Sequence, residues 1–571
     1  MNVTAALFLG VVTAATDADR WMADFEQIVC EIDSHYANLD SVIVDRGMDL
    51  PEIEKSTAER LRSVNTDDEA RAVINGFLNA FGDGHVGVEW SIPASPADLE
   101  TAGTLCDRLG YRAREDRSGI DFSRIPEYRP IDDEDSADVP GGILPFHGGA
   151  KAGVVRIQLF SSDQHPRLCR IAQRQLKLAD DQSCEGDCRH RFNNRVDDLL
   201  TASLERRLKS LRRAGATTIV VDITGNGGGS DWVEPAARVL TPIPLQASAM
   251  GFIRHAHWVK QLGEELDDVE YDLVNGGAKN VLLQRAAKSL REAKNAASST
   301  CQGPCPMIVS RSLFASGVLS YAKPGSLPEG RASSTLFHPS RYTYHEGANE
   351  LPLIILVDQR TASASEYFSA LMQDNGAGTV AGQPTRGAGC GHTNGGIYAT
   401  LANSGARLSL PDCARFRSDG SNEVVGITPD VLIPWGGVRQ PLSESGEDSE
   451  GAPRNGCACS FRILNSSFDL PPSSRSRRGT PNLSSRSRRV GISGETRSGF
   501  VEPAEDPSSL RSFGVTCSPA LRSLHLRCAR QDNGCQIPVF GSTLLCSAIW
   551  QDGTLTSLHS LREARDTGTN R

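Results

Sequence analysis

The spacing of apolar residues predicts a helical region at the start of the chain. Between Trp21 and Ala80, apolar residues recur every three or four positions, which places them on one face of successive helices. The pattern breaks at the Gly-rich segment GDGHVGVEW, a turn that carries Asp83 and His85 ahead of a short alternating strand. A histidine at the end of a helix is commonly a cap or a surface residue, so this pattern alone does not make His85 functional.

Short segments rich in apolar and β-branched residues further along predict β-strands. Three such segments lie at 154–160, 217–221 and 353–357, of which the second and third are predicted to be buried. A leucine-rich stripe at 196–211, closed by Gly215, predicts the helix that leads into the second strand. Helix, strand, Gly-rich turn and helix make a β-α-β unit, so the predicted fold class is α/β (α+β).

The third strand leads through the small residues TASAS into another helical pattern. Ser363 stands on this strand-to-helix turn, where a hydroxyl is lifted out of the packing and the following backbone N–H groups face whatever it attacks. The alternative is an ordinary N-cap, with Glu366 three residues later completing a capping box. The helix is predicted to end near Gly376, before a short strand at 379–381.

A second turn, GNGGG at 225–229, follows the strand that ends in Asp222. It lacks the GxGxxG spacing and the downstream ribose-binding acid of a dinucleotide site. Three successive glycines still indicate either a close approach of the backbone to a ligand or an unusual turn. Exposed N–H groups in such a turn can hold a phosphate or a developing oxyanion.

Charge and hydropathy limit the classes of function. A net charge of −10 argues against general nucleic-acid binding. No apolar run approaches the roughly 18–20 residues that span a bilayer. The short apolar run 3–15, followed by small residues, resembles the core and cleavage site of a secretory signal. We therefore expect a secreted or periplasmic protein, with a cytoplasmic one as the alternative.

Fifteen cysteines favour export, since an exported chain can pair them, although an odd total leaves at least one thiol free or the protein reduced. Three pairs of cysteines are close in sequence: Cys184/Cys188, Cys301/Cys305 and Cys457/Cys459. A fourth pair, Cys390/Cys413, flanks a predicted hairpin. Cys184, Cys188 and His190 resemble part of a metal site. Without a second half-site, a disulfide or spectator thiols are favoured there.

Two stretches lack regular periodicity. Residues 91–150 are rich in proline, glycine and acidic residues and resemble loop with scattered strands. Residues 437–571 are largely rich in serine, arginine, proline and glycine, with too little apolar surface to offset the entropy of ordering. Arginine-rich runs can bind anions, but we expect a disordered tail with a small cysteine-containing unit near its end.

Four motifs occur in a fixed order along the chain: DGH, Asp-x-x-GNGGG, TASASE followed by MQD and GxPTxG, and E-x-x-G-I-T-P-D. Their order and spacing resemble the tail-specific (C-terminal processing) serine peptidases and their relatives, including the tricorn core protease. The resemblance covers roughly residues 21–436. It implies a crotonase/ClpP-like ββα core with an N-terminal helical domain.

The resemblance places Ser363 at the nucleophile position and the N–H groups of Ala364 and Gly228 at the oxyanion hole. In the tail-specific branch the general base is a lysine 25 residues after the serine, and Ala388 occupies that position here. A Ser/Lys dyad is therefore excluded. Arg386 cannot replace the lysine, because a guanidinium group does not deprotonate in proteins.

The tricorn-type branch uses a histidine from the N-terminal region and a glutamate just before the G-x-x-P-D motif, and His85 and Glu423 match these positions. An imidazole can take the serine proton near neutral pH and return it to the leaving amine, while a carboxylate fixes its tautomer. The tricorn-type branch has a serine next to the histidine, and Gly84 stands there in this chain. Three arrangements of Glu423 therefore stay open: direct contact with His85, contact through water, and no contact. His392, near the vacant lysine position, is a second candidate base.

The resemblance implies a serine-type endopeptidase that hydrolyses protein or peptide substrates through an acyl-enzyme, without a metal or organic cofactor. The alternative is a catalytically inactive protein that binds a hydrophobic ligand or peptide on the same scaffold. An acyl-CoA enzyme of the crotonase type fits the topology but not the set Ser363, His85 and Glu423. No carboxylate-binding peptide module is visible between His85 and Val154, which argues against cleavage directed at a C-terminus. The sequence does not indicate an oligomeric state.

These features divide the chain into five predicted segments. They are a signal peptide at 1–18, a helical domain ending in DGH at 19–90, an irregular linker or cap at 91–150, the peptidase core at 151–436 and the Ser/Arg-rich tail at 437–571.

Overall fold

The structure, a computed structural model, describes residues 17–90, 103–113, 119–300, 306–393 and 396–433. Several predictions fall wholly or partly outside these ranges. They concern the signal peptide, part of the 91–150 linker, the Cys301/Cys305 pair, and the tail 437–571 with the Cys457/Cys459 pair.

Helices and strands alternate along most of the described chain. The helices are α1 (Asp17–His35), α2 (Leu39–Val44), α3 (Leu50–Leu61), α4 (Asp67–Asn79), α5 (Leu105–Arg108), α6 (Pro166–Leu176), α7 (Asp187–Arg213), α8 (Val233–Val239), α9 (Ala256–Asp272), α10 (Val281–Ser298), α11 (Ala332–Leu336) and α12 (Ala364–Asp374). The strands are β1 (Gly87–Glu89), β2 (Arg129–Pro130), β3 (Gly141–Pro145), β4 (Lys151–Arg156), β5 (Thr218–Asp222), β6 (Ala249–Phe252), β7 (Ser310–Phe314), β8 (Leu353–Val357), β9 (Thr379–Gly382), β10 (Ile397–Thr400), β11 (Arg407–Leu410), β12 (Cys413–Phe416) and β13 (Val431–Leu432).

A seven-stranded mixed sheet forms the centre of the fold, in the order β13-β9-β8-β5-β4-β3-β2. Strands β13, β9, β8, β5 and β4 are parallel, and β3 and β2 extend one edge in antiparallel fashion. Helices α7, α8 and α12 share the main apolar core with this sheet, where Leu204, Val221 and Phe368 are fully buried. Parallel strands require crossover connections, which the helices supply. The predicted α/β class is confirmed.

Strands β5 and β8 lie side by side in the sheet, with Asp222 opposite Leu356. Since the two strands are parallel, the glycine turn after β5 and the serine turn after β8 meet at the same edge. Two backbone hydrogen bonds join the turns: Ile223 N–H donates to Leu356 O at 3.1 Å, and Ala362 N–H donates to Asn226 O at 3.0 Å. The two motifs that the sequence separates by more than a hundred residues are thus one structural unit.

A second apolar core joins the N-terminal helices to β11. Phe25 of α1 and Phe77 of α4 pack edge to face with ring centroids 5.0 Å apart, and Leu408 of β11 is buried in the same cluster. The turn after α4 continues into β1, which pairs with β11 so that Gly87 lies opposite Ser409. Burial of these apolar faces therefore holds the DGH turn against the part of the chain that follows the serine helix.

One predicted element is divided differently in the structure. The alternating pattern from Ile397 to Phe416 predicts a hairpin, and β10 and β11 do form one. Strand β12, however, pairs with β6 in a separate three-stranded sheet, β12-β6-β7. Pro411 has no N–H to donate, so the pairing of β10 with β11 ends there. The chain then continues into β12, which belongs to the second sheet.

Helices α9 and α10 pack on each other in a third cluster, which also buries Phe252 of β6 and Trp258 of α9. Asn280 caps α10 by accepting hydrogen bonds from the N–H groups of Leu282 and Leu283. In the described part of the chain, no helix combines the length and the apolarity that crossing a bilayer requires.

Candidate active site

Ser363 lies at the end of the turn that follows β8, immediately before α12. Its φ of +58° and ψ of −119° fall outside the regions that non-glycine residues normally adopt. The Ser363 N–H donates to Glu366 Oε2 at 2.8 Å, which is the backbone half of the predicted capping box. The Glu366 carboxylate therefore helps to hold the serine in a conformation that costs about 1–3 kcal/mol.

The ring of His85 faces Ser363 across the site. His85 Nε2 lies 3.0 Å from Ser363 Oγ, although 278 residues separate them in the sequence. On the other side of the ring, Nδ1 lies 3.0 Å from the carbonyl oxygen of Ala388 and 3.3 Å from Asp83 Oδ1. A carbonyl oxygen can only accept a hydrogen bond, so Nδ1 carries the proton and Nε2 is left to accept from the serine hydroxyl.

A buried carboxylate ties the serine turn to the segment that holds the histidine. Besides Ser363 N–H, Glu366 accepts hydrogen bonds from Thr385 Oγ1 at 2.6 Å, Gly387 N–H at 2.5 Å and Ala388 N–H at 2.8 Å. Burial raises the pKa of Glu366, and these four donors oppose the rise. Ala388, at the position where relatives have a lysine, therefore contributes its backbone: the N–H to Glu366 and the carbonyl to His85.

Gly228 packs directly against Ser363. Its φ is +115°, and a Cβ at this position would stand 2.7 Å from Ser363 Cβ and 2.9 Å from Ala364 N. The close approach explains why glycine is required here. The two residues predicted for the oxyanion hole are thus adjacent. The Gly228 N–H, however, donates to Asn226 Oδ1 at 2.9 Å.

Glu423 is fully buried, and its carboxylate is engaged away from His85. Its Oε2 accepts from Arg415 Nε at 2.6 Å and its Oε1 from Ser248 Oγ at 3.2 Å. The same guanidinium donates through Nη2 to Gly389 O at 2.9 Å and to Ser363 O at 3.3 Å. The structure therefore connects Glu423 to the backbone of Ser363 through Arg415, and none of these contacts involves the imidazole.

His392 lies beside His85 and makes its hydrogen bonds elsewhere. Its Nδ1 lies 3.2 Å from Leu410 O and its Nε2 lies 3.3 Å from Ser409 Oγ. Burial, together with the neighbouring His85, lowers the pKa of His392. Of the two candidate bases, the structure brings His85 to the serine.

Three residues around the site were not among the sequence-predicted site residues: Asp83, Glu366 and Arg415. Asp83 could have been found, because it stands two residues before His85 in the DGH motif. Glu366 was recognised only as a capping residue. Arg415 carries no local signal, since its position depends on the pairing of β12 with β6.

Metal ligation finds no support in the described residues. No group of three or more histidine, cysteine, aspartate or glutamate side chains there is arranged to hold an ion. Cys184 and Cys188 instead form a disulfide, which is one of the two states favoured from the sequence.

Residues 271–433 match the sequence model of Peptidase family S41. This chain carries a Peptidase family S41 domain. The predicted family resemblance is thereby confirmed, and the tricorn-type branch stays a prediction. Ser363, Ala388 and Glu423 fall within the matched range, whereas His85 and Gly228 precede it.

Similar proteins include the carboxyl-terminal-processing protease of Synechocystis sp., which is 31% identical over 99 residues, or 17% of this chain and 21% of that protein. The alignment spans about a fifth of the length of this curated relative. Among solved structures, mature CPAF is 15% identical with a TM-score of 0.43, over 73% of this chain and 92% of that chain. The photosystem II D1 C-terminal processing protease is 12% identical with a TM-score of 0.28, over 74% and 94%. The tricorn protease is 12% identical with a TM-score of 0.27, over 73% and 35%.

Proposed function

We propose that the S41 domain is a serine-type endopeptidase in which Ser363 is the nucleophile and His85 the general base. The observation that carries this proposal is the 3.0 Å separation of His85 Nε2 from Ser363 Oγ. The Nδ1 contact with Ala388 O, also 3.0 Å, fixes the tautomer that can accept the proton. A base within hydrogen-bond reach of a serine, itself oriented by a third group, is the arrangement that activates a hydroxyl.

In this mechanism Ser363 Oγ attacks the carbonyl carbon of the scissile peptide bond while its proton passes to His85 Nε2. The resulting imidazolium returns that proton to the leaving amine, and an acyl-enzyme remains. Water then attacks the ester with the same imidazole as base, which releases the acid and restores the serine. Because His85 acts first as a base and then as an acid, no lysine is needed at the position of Ala388.

Charge on the carbonyl oxygen would be stabilised by backbone N–H groups beside the serine. Ala364 N–H, at the start of α12, is the first donor that we propose, and Gly228 N–H is the second. In the structure Gly228 N–H donates to Asn226 Oδ1. The substrate oxygen would therefore have to compete with this side chain or share the proton with it.

Glu423 serves the site through Arg415 in this proposal. The buried carboxylate holds the guanidinium, which in turn donates to the carbonyl groups of Gly389 and Ser363. Charge-assisted bonds of this kind are about twice as strong as neutral ones. Their role would be to keep the serine turn and the 389 segment at a fixed separation.

We propose that the protein works outside the cytoplasm on protein or peptide substrates. Three disulfides among the described residues favour an oxidising compartment: Cys106–Cys169, Cys184–Cys188 and Cys390–Cys413. Thiol counting on protein purified from its native compartment tests this, because all six of these cysteines should resist alkylation until a reductant is added. Alkylation of all six without reductant would contradict the proposal.

A binding protein on the same scaffold is the competing function, and a fluorophosphonate probe separates the two. An activated Ser363 forms a covalent adduct with this probe, and neither Ser363→Ala nor His85→Ala protein should react at a comparable rate. With dye-labelled unfolded casein as substrate, each substitution should lower activity by at least about 10³-fold. Folded wild-type protein that does not react with the probe would favour the binding protein.

A further inference from the structure

Asp83 presents a buried carboxylate to the side of His85 that faces away from the serine. Only 4% of Asp83 is exposed. Its Oδ1 accepts the backbone N–H of His85 at 3.0 Å and lies 3.3 Å from His85 Nδ1. The first contact shapes the turn, while the second puts a negative charge next to the ring nitrogen that keeps its proton throughout the proposed reaction.

The other oxygen of Asp83 is held by the N-terminal helices. Tyr36 Oη donates to Asp83 Oδ2 at 3.0 Å, and Asn38 Nδ2 lies 3.4 Å from the same oxygen. Asn38 Oδ1 in turn accepts from Asn422 Nδ2 at 2.9 Å. Burial, and after it the charge of Asp83, raises the pKa of Tyr36 well above its usual value, so the phenol stays a donor. Donors on separate segments thus fix the orientation of this carboxylate.

The carboxylate predicted for the role, Glu423, is committed elsewhere. Its ion pair with Arg415 Nε at 2.6 Å neutralises its charge, and both of its oxygens already accept hydrogen bonds. Asp83 forms the one ion pair of His85 in the described part of the chain. The two carboxylates therefore have different partners. Asp83 lies beside the imidazole of His85, and Glu423 pairs with Arg415, which contacts the backbone of Ser363.

We propose that Asp83 is the positioning carboxylate of His85, which stabilises the imidazolium formed when Ser363 gives up its proton. The proposal rests on the proposed function. In the proton transfer, the Ser363 O–H bond breaks and the Nε2–H bond forms, while the Nδ1 proton stays on the ring between Ala388 O and Asp83 Oδ1. Asp83 remains unprotonated, and its attraction to the imidazolium lowers the energy of the charged intermediate.

Other titratable and charged groups also face this pair. His392 contacts the His85 ring edge to face, with centroids 5.8 Å apart. The Arg386 guanidinium lies over Gly84, where a Cβ would stand 3.2 Å from its central carbon. Arg46 donates to Phe81 O at 2.6 Å, and its positive charge acts on Tyr36. The positive charges of both arginines disfavour the imidazolium, whereas His392, whose pKa is lowered, adds no charge when its ring is neutral. Asp83 supplies the opposing charge.

Asp83→Asn is the decisive substitution, because asparagine keeps an acceptor for the His85 N–H and removes the charge. The first readout is the NMR titration of the His85 ring, assigned by comparison with His85→Ala, in full-length protein that also carries Ser363→Ala. We expect Asp83→Asn to move the midpoint of this titration down by about one pH unit or more, since an opposite charge within about 4–6 Å has an effect of that size. Glu423→Gln, the matched control, should leave the midpoint in place.

The second readout is kinetic, in protein with Ser363 intact. Asp83→Asn should lower kcat for casein at pH 7 by about 10–100-fold and shift the acidic limb of the kcat/KM profile to lower pH, because the base stays unprotonated there. Glu423→Gln should lower activity without shifting that limb. An unmoved midpoint in folded Asp83→Asn protein, or a shift with Glu423→Gln alone, would overturn the proposal.

Folding of Asp83→Asn is checked by near-ultraviolet circular dichroism. If that protein does not fold, the wild type provides the test, because an Nδ1–H held against a carboxylate gives a strongly downfield proton resonance at acidic pH. Its absence would contradict the proposal. Failure of the proposed function would give a different result from failure of the role of Asp83. Wild-type protein would then not react with a fluorophosphonate, while the titration of the His85 ring would still show the effect of Asp83→Asn.

Discussion

The imidazole rings of His85 and His392 meet edge to face, with their centroids 5.8 Å apart and their planes at 82°. The hydrogen-bond partners distinguish them, because His85 reaches Ser363 Oγ whereas His392 reaches Ser409 Oγ and Leu410 O. The lowered pKa of His392 keeps its ring neutral at pH 7. Its position is that of a neighbour that packs against His85, the proposed base.

Substitution of each histidine should therefore have a different effect. His392 also stacks on Tyr398, with ring centroids 6.1 Å apart. His392→Phe preserves a ring against both neighbours, and we expect kcat/KM to fall by less than about 10-fold. His85→Ala removes the base, and we expect a loss of at least about 10³-fold. Steady-state kinetics on casein and the rate of fluorophosphonate labelling check both values. The reverse order of the two losses would make His392 the base.

The Arg415–Glu423 pair allows a double-mutant cycle. Arg415→Met leaves the fully buried Glu423 carboxylate without its cation, and we expect the free energy of unfolding to fall by about 3–5 kcal/mol. Glu423→Gln in the same chain removes the unpaired charge, so the double variant should regain a large part of that stability. Its kcat should stay low, because the carbonyl groups of Ser363 and Gly389 still lack their donor.

Urea unfolding, followed together with kcat for casein, separates these two effects. Recovery of stability without recovery of activity supports a positioning role for Arg415. If the double variant regained full activity, the guanidinium contacts with the serine turn would have no catalytic importance.

Two neighbouring glycines provide a matched test of the proposed oxyanion turn. A Cβ at Gly228 would lie 2.7 Å from Ser363 Cβ and 3.0 Å from Ala362 O, at a φ of +115°. A Cβ at Gly227 would meet nothing within 4 Å. We expect Gly228→Ala to lower kcat/KM by at least about 10²-fold, because the added methyl group would displace Ser363 and the proposed N–H donor from each other, and Gly227→Ala to change it by less than about threefold. Similar losses in both variants would show that the turn tolerates no side chain at all, whatever its contact with the serine.

The sequence indicates Ser363 and His85 as candidates because catalysis demands particular residue types on turns that follow recognisable elements, and their catalytic roles stay a prediction. The strand 353–357 is found as predicted, and Ser363 stands on the turn after it. Arg415 could not be predicted in this way. Its contact with Ser363 exists only because the ladder ends at Pro411 and β12 joins β6, a pairing decided by tertiary packing.

The contacts of the two carboxylates could not be predicted from the sequence for a related reason. Motif order indicates which residues approach the site, but which oxygen reaches which ring depends on differences of about an ångström. Glu423 and Asp83 both lie near the site, and only the distances show that one reaches Arg415 and the other His85. Ala388 is a second example. The sequence shows that a lysine side chain is absent at this position, but it does not show that the Ala388 carbonyl contacts His85 Nδ1.

The Cys390–Cys413 disulfide links the segment that contacts His85 to the strand that carries Arg415. Gly389 O accepts from Arg415, and a Cβ at Gly391 would stand 2.8 Å from His85 Nε2, so the residues on both sides of Cys390 are part of the site. The bridge closes a loop of 23 residues in sequence, and removing such a bridge costs about 2–4 kcal/mol.

We expect Cys390→Ala with Cys413→Ala to lower both stability and kcat, because the 389–391 segment then loses its covalent link to β12. The matched control is Cys184→Ala with Cys188→Ala, which opens a bridge of four-residue separation at the start of α7. That variant should lose less stability and keep kcat within about twofold, since distant sites act independently. Thermal unfolding and casein hydrolysis measure both effects. Equal losses of kcat in the two variants would mean that the bridge beside His85 stabilises the fold without positioning the site.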